Sequence, residues 1–130
     1  MGKFERQVSR WADDARDELK KGVRQATGGL FEALSDNTPV RTGFLRGSWS
    51  IGYTPSNPPE GEKDPSGTIS KAAAWKSLQR YSPGDTIYII NSAYYARFQE
   101  FGTQHIRPRL FATTVLQNAR SIGEAAIRGL

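Results

Sequence analysis

Cysteine is absent and histidine occurs once, as His105. The first absence removes disulfides, thiolate metal sites and thiol nucleophiles together. The second means that neither a His-rich metal centre nor a metalloprotease helix of the H-E-x-x-H kind can be assembled from this chain. Long hydrophobic runs are missing as well, since no segment approaches the roughly 18 to 20 apolar residues of a membrane-crossing helix. The opening MGKFERQVSRWADDARDELKK has neither the apolar stretch nor the small-residue cleavage site of a secretory signal. Arg6 occupies the position where a myristoylation motif carries Ser or Thr. These absences predict a soluble product made in the cytoplasm, with no cofactor and no membrane partner.

Apolar residues are scarce: they form 37% of the 130 residues, and the mean hydropathy is -0.59. Globular domains usually hold roughly 45 to 50%. A single domain over residues 1–130 with one modest core is expected, and the deficit predicts that neighbours complete part of its surface. Positive charge is plentiful, with 18 Lys and Arg against 13 Asp and Glu, a formal charge of +5 and a pI near 9.7. Such a balance permits a nucleic-acid or acidic partner, although the Arg residues suit interface ion pairs and phosphate contacts alike.

From Lys3 to Leu34, apolar residues recur at Phe4, Val8, Trp11, Ala15, Leu19, Val23, Ala26 and Leu30. Steps of three and four predict a long helix with one apolar stripe. Gly22 weakens it, the Gly28-Gly29 pair predicts a kink or break, and Pro39 should end the helix between Ser35 and Thr38. Alternation over Arg46 to Tyr53, with Trp49, Ile51 and Tyr53 on one side, predicts a strand. Thr54 to Gly67 holds four prolines and two glycines, which predicts a long loop or flexible arm. Ser70 to Tyr81 reads as a short helix with Ser70 as its N-cap. Pro83-Gly84-Asp85 makes a turn before a second strand, Thr86 to Asn91. Tyr94 to Phe101 suits one or two helical turns closed by a left-handed Gly102. Pro108 to Ile127 predicts an amphipathic C-terminal helix.

Two segments carry more than local structure. Thr38 to Trp49 reads T-P-V-R-T-G-F-L-R-G-S-W. By local physics it is a helix-to-strand connector in which Pro39 ends the helix, Thr42 caps a short turn, Gly43 allows tight geometry, and Leu45 and Trp49 are buried. The pattern T-P-V-x-T-G-x-L-R-x-S-W after an N-terminal helix resembles the tailed-phage morphogenesis family of neck, head-tail connector and tail-completion proteins, the minor tail protein Z-like group. Later residues extend the resemblance: Asn91 ending a strand, then Tyr95, Ala96, Phe98, Glu100, Phe101, Gly102, Thr103 and Pro108. Thr54 to Tyr81 matches nothing in that pattern and reads as an insertion.

The resemblance implies an α+β fold: a long N-terminal helix, a small antiparallel β-sheet with a long loop and inserted short helix, and a C-terminal amphipathic helix. It implies a structural virion protein forming a ring of six or twelve copies around the DNA path, and joining or completing the tail at the head-tail interface. A tail terminator or head-closure subunit is the alternative within that class. The implied partners are the chain itself, the connector or head-completion proteins, the tail terminator, the tail tube, and double-stranded DNA held without sequence preference.

Pro39, Thr42, Gly43, Leu45, Ser48, Trp49, Tyr95, Phe98, Glu100, Gly102 and Pro108 are the residues that match the family pattern. Trp11, Trp75, Tyr94, Phe98 and Phe101 are candidate interface anchors because aromatics dominate binding hot spots. Lys20, Lys21, Arg24, Arg107 and Arg109 are candidates for a DNA-lined channel. Glu100 and His105 form the one conceivable acid-base pair. It lacks a nucleophile, oxyanion donors or metal spacing around it, so enzymatic activity is not expected. A free, basic, non-specific DNA-binding module is the reading from another class, opposed by the acidic cluster Asp13, Asp14, Asp17 and Glu18.

Overall fold

The computed structural model describes residues 2–56, 58–94, 96–102, 112, 115 and 117–128, with the side chains of 97–99, 126 and 127 excepted. The elements are α1 (Lys3–Asp36), α2 (Phe44–Gly47), β1 (Trp49–Gly52), α3 (Thr68–Leu78), β2 (Tyr88–Asn91), α4 (Ala96–Phe101) and α5 (Ala119–Arg128). This is the expected α+β class.

β1 and β2 pair antiparallel, with Trp49 opposite Asn91 and Gly52 opposite Tyr88. Two strands alone are marginal in water. They are stable here because helices bury one face of the ribbon. Phe31 and Leu34 from α1, Leu45 from α2, Trp49 and Ile51 from β1, and Ala74 and Leu78 from α3 form a single cluster with Ala93 and Val115. Only the C-terminal third of α1 reaches this core, while its N-terminal part runs out into solvent.

Four local expectations need correction. α1 continues through Gly28-Gly29 as one helix, because Gly28 is a notch for the Trp75 indole: a Cβ there would lie 2.0 Å from the ring. The first strand begins only at Trp49, since Phe44–Gly47 forms a helical turn. The N-terminus of α3 starts at Thr68, and the group that satisfies it is Asp64 rather than Ser70. The loop before α3 is not a free arm. It lacks apolar residues, as its composition shows, but docks through polar backbone: Asp64 N–H donates to Gly43 O (2.9 Å), Gly61 N–H to Ser48 Oγ (3.3 Å), and Ser92 Oγ to Pro59 O (3.1 Å).

Asp64 is buried and its Oδ2 accepts from Ser70 N–H (2.8 Å) and Ser70 Oγ (2.9 Å). Burial pushes the carboxyl up, but the Ser70 bonds together with the Ile69 and Gly67 N–H groups outweigh it and hold it below the usual carboxylate range. A lowered folded value means that the unfolded chain binds the proton more readily. The stabilisation is therefore complete above the ordinary carboxylate value and is lost as pH falls through the folded one. Asp64→Asn should cost about 1 to 2 kcal/mol near neutral pH. It should also flatten the loss of stability below about pH 4. Urea unfolding at a series of pH values reads both effects, and parallel pH profiles for the two proteins would refute the assignment.

Candidate assembly surface

The two sequence segments singled out above meet in space. The Asn91 side-chain amide donates to Leu45 O (2.8 Å), Ser92 N–H donates to Ser48 O (3.0 Å), and Asn91 Oδ1 accepts from Ala93 N–H (3.0 Å). The connector is a polar knot around a buried aromatic. Trp49 Nε1 donates to Thr38 Oγ1 (2.8 Å), which itself donates to Leu34 O at the end of α1. Ser48 Oγ donates to Phe44 O (2.8 Å), and Thr42 Oγ1 accepts from Phe44 N–H (3.3 Å) in a local hydroxyl turn, whereas the N-cap of α2 is Gly43 and not the expected Thr42. Arg46 ties three segments by donating to Asp36 O, Thr38 O and Pro65 O. Leu45, Ser48 and Trp49 are buried and Pro39 is half-buried, so these residues shape the scaffold.

On the other segment, Gly102 has the left-handed backbone expected of a helix cap (φ 77°). Glu100 is buried and accepts from Ala112 N–H at 2.8 Å, which ties α4 to the approach of the C-terminal helix. Tyr94 and Phe101 are exposed. Tyr95, Thr103, His105, Arg107, Pro108 and Arg109 lie outside the described residues, as does the side chain of Phe98. The described residues contain no group of His, Cys, Asp and Glu able to hold a metal ion.

Trp11 stands 72% exposed on the outer part of α1. Trp75 is placed differently: it packs over Gly28, and its Nε1 donates to Glu32 Oε1 (2.9 Å), so it joins α3 to α1. Lys21 is exposed and Lys20 half-buried. The Arg24 guanidinium is turned inward, donating to Leu78 O and Gln79 O (both 3.0 Å) and Tyr81 O (3.4 Å). It closes the C-terminal end of α3, where unpaired carbonyls favour a cation. The Tyr53 hydroxyl donates to Ser77 O (2.8 Å), and Arg80 lies over its ring. Burial pushes this phenol up, against the opposing charges of Arg80 and Arg24.

Sequence reasoning missed Thr38 and Asp64 as organising residues, because their importance lies in partners 11 and 6 positions away. It also read the α1 stripe as continuous without indicating where its cover stops. Phe4, Val8, Trp11 and Leu19 are all exposed. An open groove of about 330 Å³ lies between α1 and the C-terminal region, lined by Ala33, Asp36, Asn37, Val115, Asn118 and Ile122. Its one carboxylate, Asp36, pairs with Lys71 at 2.6 Å. Among the described residues exposed aromatics and an open groove are present, and no set of reactive groups converges.

No match is found among curated proteins or among solved structures. A family model does match, over residues 2–102: the HK97-gp10-like family, described as "Bacteriophage HK97-gp10, putative tail-component". The matched span runs from the start of α1 through Thr38 to Trp49 and on to Gly102, and stops before the motif residues Thr103 and Pro108. The chain therefore belongs to the HK97-gp10-like family of bacteriophage tail components.

Proposed function

We propose that this tail component acts at the head end of the tail, as a structural subunit that forms a ring of six or twelve copies around the DNA path and joins or completes the tail. Family membership over residues 2–102 carries the reading. The thin core and the solvent-exposed anchors Trp11, Tyr94 and Phe101 support it, since a ring needs one face of a subunit to fit a different face of the next. Its partners in this reading are further copies and the neighbouring neck and tail proteins, and no step of its work is catalytic.

Any contact with DNA is electrostatic and indifferent to sequence. Lys20, Lys21, Arg107 and Arg109 are the cations proposed for it, while Arg24 serves α3 instead.

Imaging of particles carrying a gold-labelled copy tests the placement. Label at the head-tail junction is the expected result, together with unjoined heads and tails when the gene is deleted. Label at the distal tip would overturn the neck placement while leaving a tail component, and absence from the particle would overturn both.

A further inference from the structure

The outer part of α1 is an apolar stripe that the described residues leave uncovered. A helix turns about 100° and rises about 1.5 Å per residue, so Phe4, Val8, Trp11, Ala15 and Leu19 project from one face. Phe4 is 75% exposed. Ala26, Leu30 and Ala33 continue the same face, and there a helix covers it: α5 lies along α1, with Gly123 close to Ala26. Two aromatic side chains of this size, each offering on the order of 150 to 250 Å², make a patch that marks an interaction site.

We infer that this stripe binds the same stripe of a second copy, as an antiparallel helix pair about a two-fold axis. The flanking charges name the occupant. By helical geometry Glu5 and Arg16 stand on one side of the stripe, and Lys3, Gln7, Asp14 and Glu18 on the other. In an antiparallel two-fold pair each flank faces its own counterpart. The register that sets Glu5 opposite Arg16 of the second copy also sets Lys3 opposite Glu18 and Gln7 opposite Asp14. Among the described residues Lys3, Glu5, Arg16 and Glu18 form no ion pair, and Glu5 accepts from the exposed Gly2 N–H through Oε2 (3.3 Å), which leaves Oε1 for a partner.

The same register interleaves the apolar side chains. Phe4 falls between Ala15 and Leu19 of the second copy, Val8 falls between its Ala15 and Trp11, and the two Trp11 rings meet at the axis. Phe4 and Val8 thus both pack beside the small Ala15, while the two Trp11 rings share the axis, so that side chains interleave as close packing of helices requires. The inference does not rest on the ring reading. An isologous pair closes on itself whereas a ring is heterologous, so the pair belongs to the free subunit and covers its stripe before assembly. Failure of the pair would leave the tail reading standing.

The chain has no cysteine, which makes cross-linking decisive. Full-length Gln7→Cys and Asp14→Cys proteins, differently tagged, are mixed and mildly oxidised. The pair predicts a covalent heterodimer well in excess of either homodimer, because only positions 7 and 14 face each other across the axis. Like positions lie about 10 Å apart along the axis, beyond disulfide reach. Sedimentation equilibrium of the unmodified chain should show a dimer. Glu5→Arg should weaken it about tenfold or more, and adding Arg16→Glu should restore it. These exposed positions leave the core intact, so unchanged thermal melting at a concentration low enough for both proteins to be monomeric, where the pair adds no stability, separates loss of pairing from loss of fold. Homodimers as abundant as heterodimer would overturn the antiparallel register. A chain still monomeric at about 100 μM would overturn the pairing and assign the stripe to a different protein.

Discussion

Gly43→Ala is expected to destabilise the protein by about 3 kcal/mol or more, adding backbone strain to a clash. Gly43 has φ 85°, in the left-handed region where a side chain costs roughly 1 to 2 kcal/mol. A Cβ there would also lie 2.4 Å from the Pro65 nitrogen and 2.6 Å from its Cδ. The Pro65 backbone is not a flexible tip that can swing aside. Accommodating the methyl means lifting the loop, which breaks the bond from Asp64 N–H to Gly43 O and disturbs the cap that Asp64 gives α3. Gly84→Ala is the control, since Gly84 also has positive φ (101°) but open space around it. It should show the strain alone, about 1 to 2 kcal/mol. Thermal melting followed by circular dichroism reads the difference, and tryptic cleavage after Lys63 should accelerate in Gly43→Ala only. Equal melting temperatures for the two variants would mean that the Pro65 contact contributes nothing.

Gly28→Ala carries the second large effect, and its sign is the informative part. In an open helix position alanine is better than glycine by about 1 kcal/mol. At Gly22, where nothing lies within 4 Å, alanine should therefore stabilise. At Gly28 the added methyl would meet three indole atoms of Trp75 at 2.0 to 2.5 Å. The ring cannot withdraw without breaking its bond to Glu32 and opening the α1–α3 contact beside Ala74 and Leu78. A net loss of about 2 kcal/mol follows from overpacking set against the propensity gain. Combining Gly28→Ala with Trp75→Leu should cost less than the sum of the two single changes, because the smaller side chain makes room for the methyl. Stabilisation by both Gly22→Ala and Gly28→Ala would show that the notch is not needed.

These two glycines illustrate what was legible and what was not. The turn residues around Gly43 mark it as a tight-backbone position, which is local information. Helix propensity makes Gly28 a weak point, because it sees only the chain the glycine sits in. Trp75, 47 positions away, converts that weakness into a fit. Arg24 is a similar case: its spacing on α1 gives a charged helical position, whereas its guanidinium serves carbonyls of α3. The pairing of Trp49 with Thr38 was equally hidden, although both residues belong to the motif that led to the family.

Of the C-terminal helix expected over Pro108 to Ile127 the structure describes Ala119–Arg128 as α5. The α+β class, the long N-terminal helix, the turn at Pro83 to Asp85, the left-handed Gly102 and the family to which the chain belongs were legible in the chain alone. All of these rest on periodicities and turn chemistry expressed over a few neighbouring residues. It takes distant contacts to show that the polar loop docks on the connector, that Asp64 caps α3, that the half-buried Trp75 packs over Gly28, and that among the described residues the α1 stripe is covered on one half alone. A hydrophobic pattern records which face of a helix avoids water. It does not record which element covers that face, because that depends on residues brought together from distant parts of the chain.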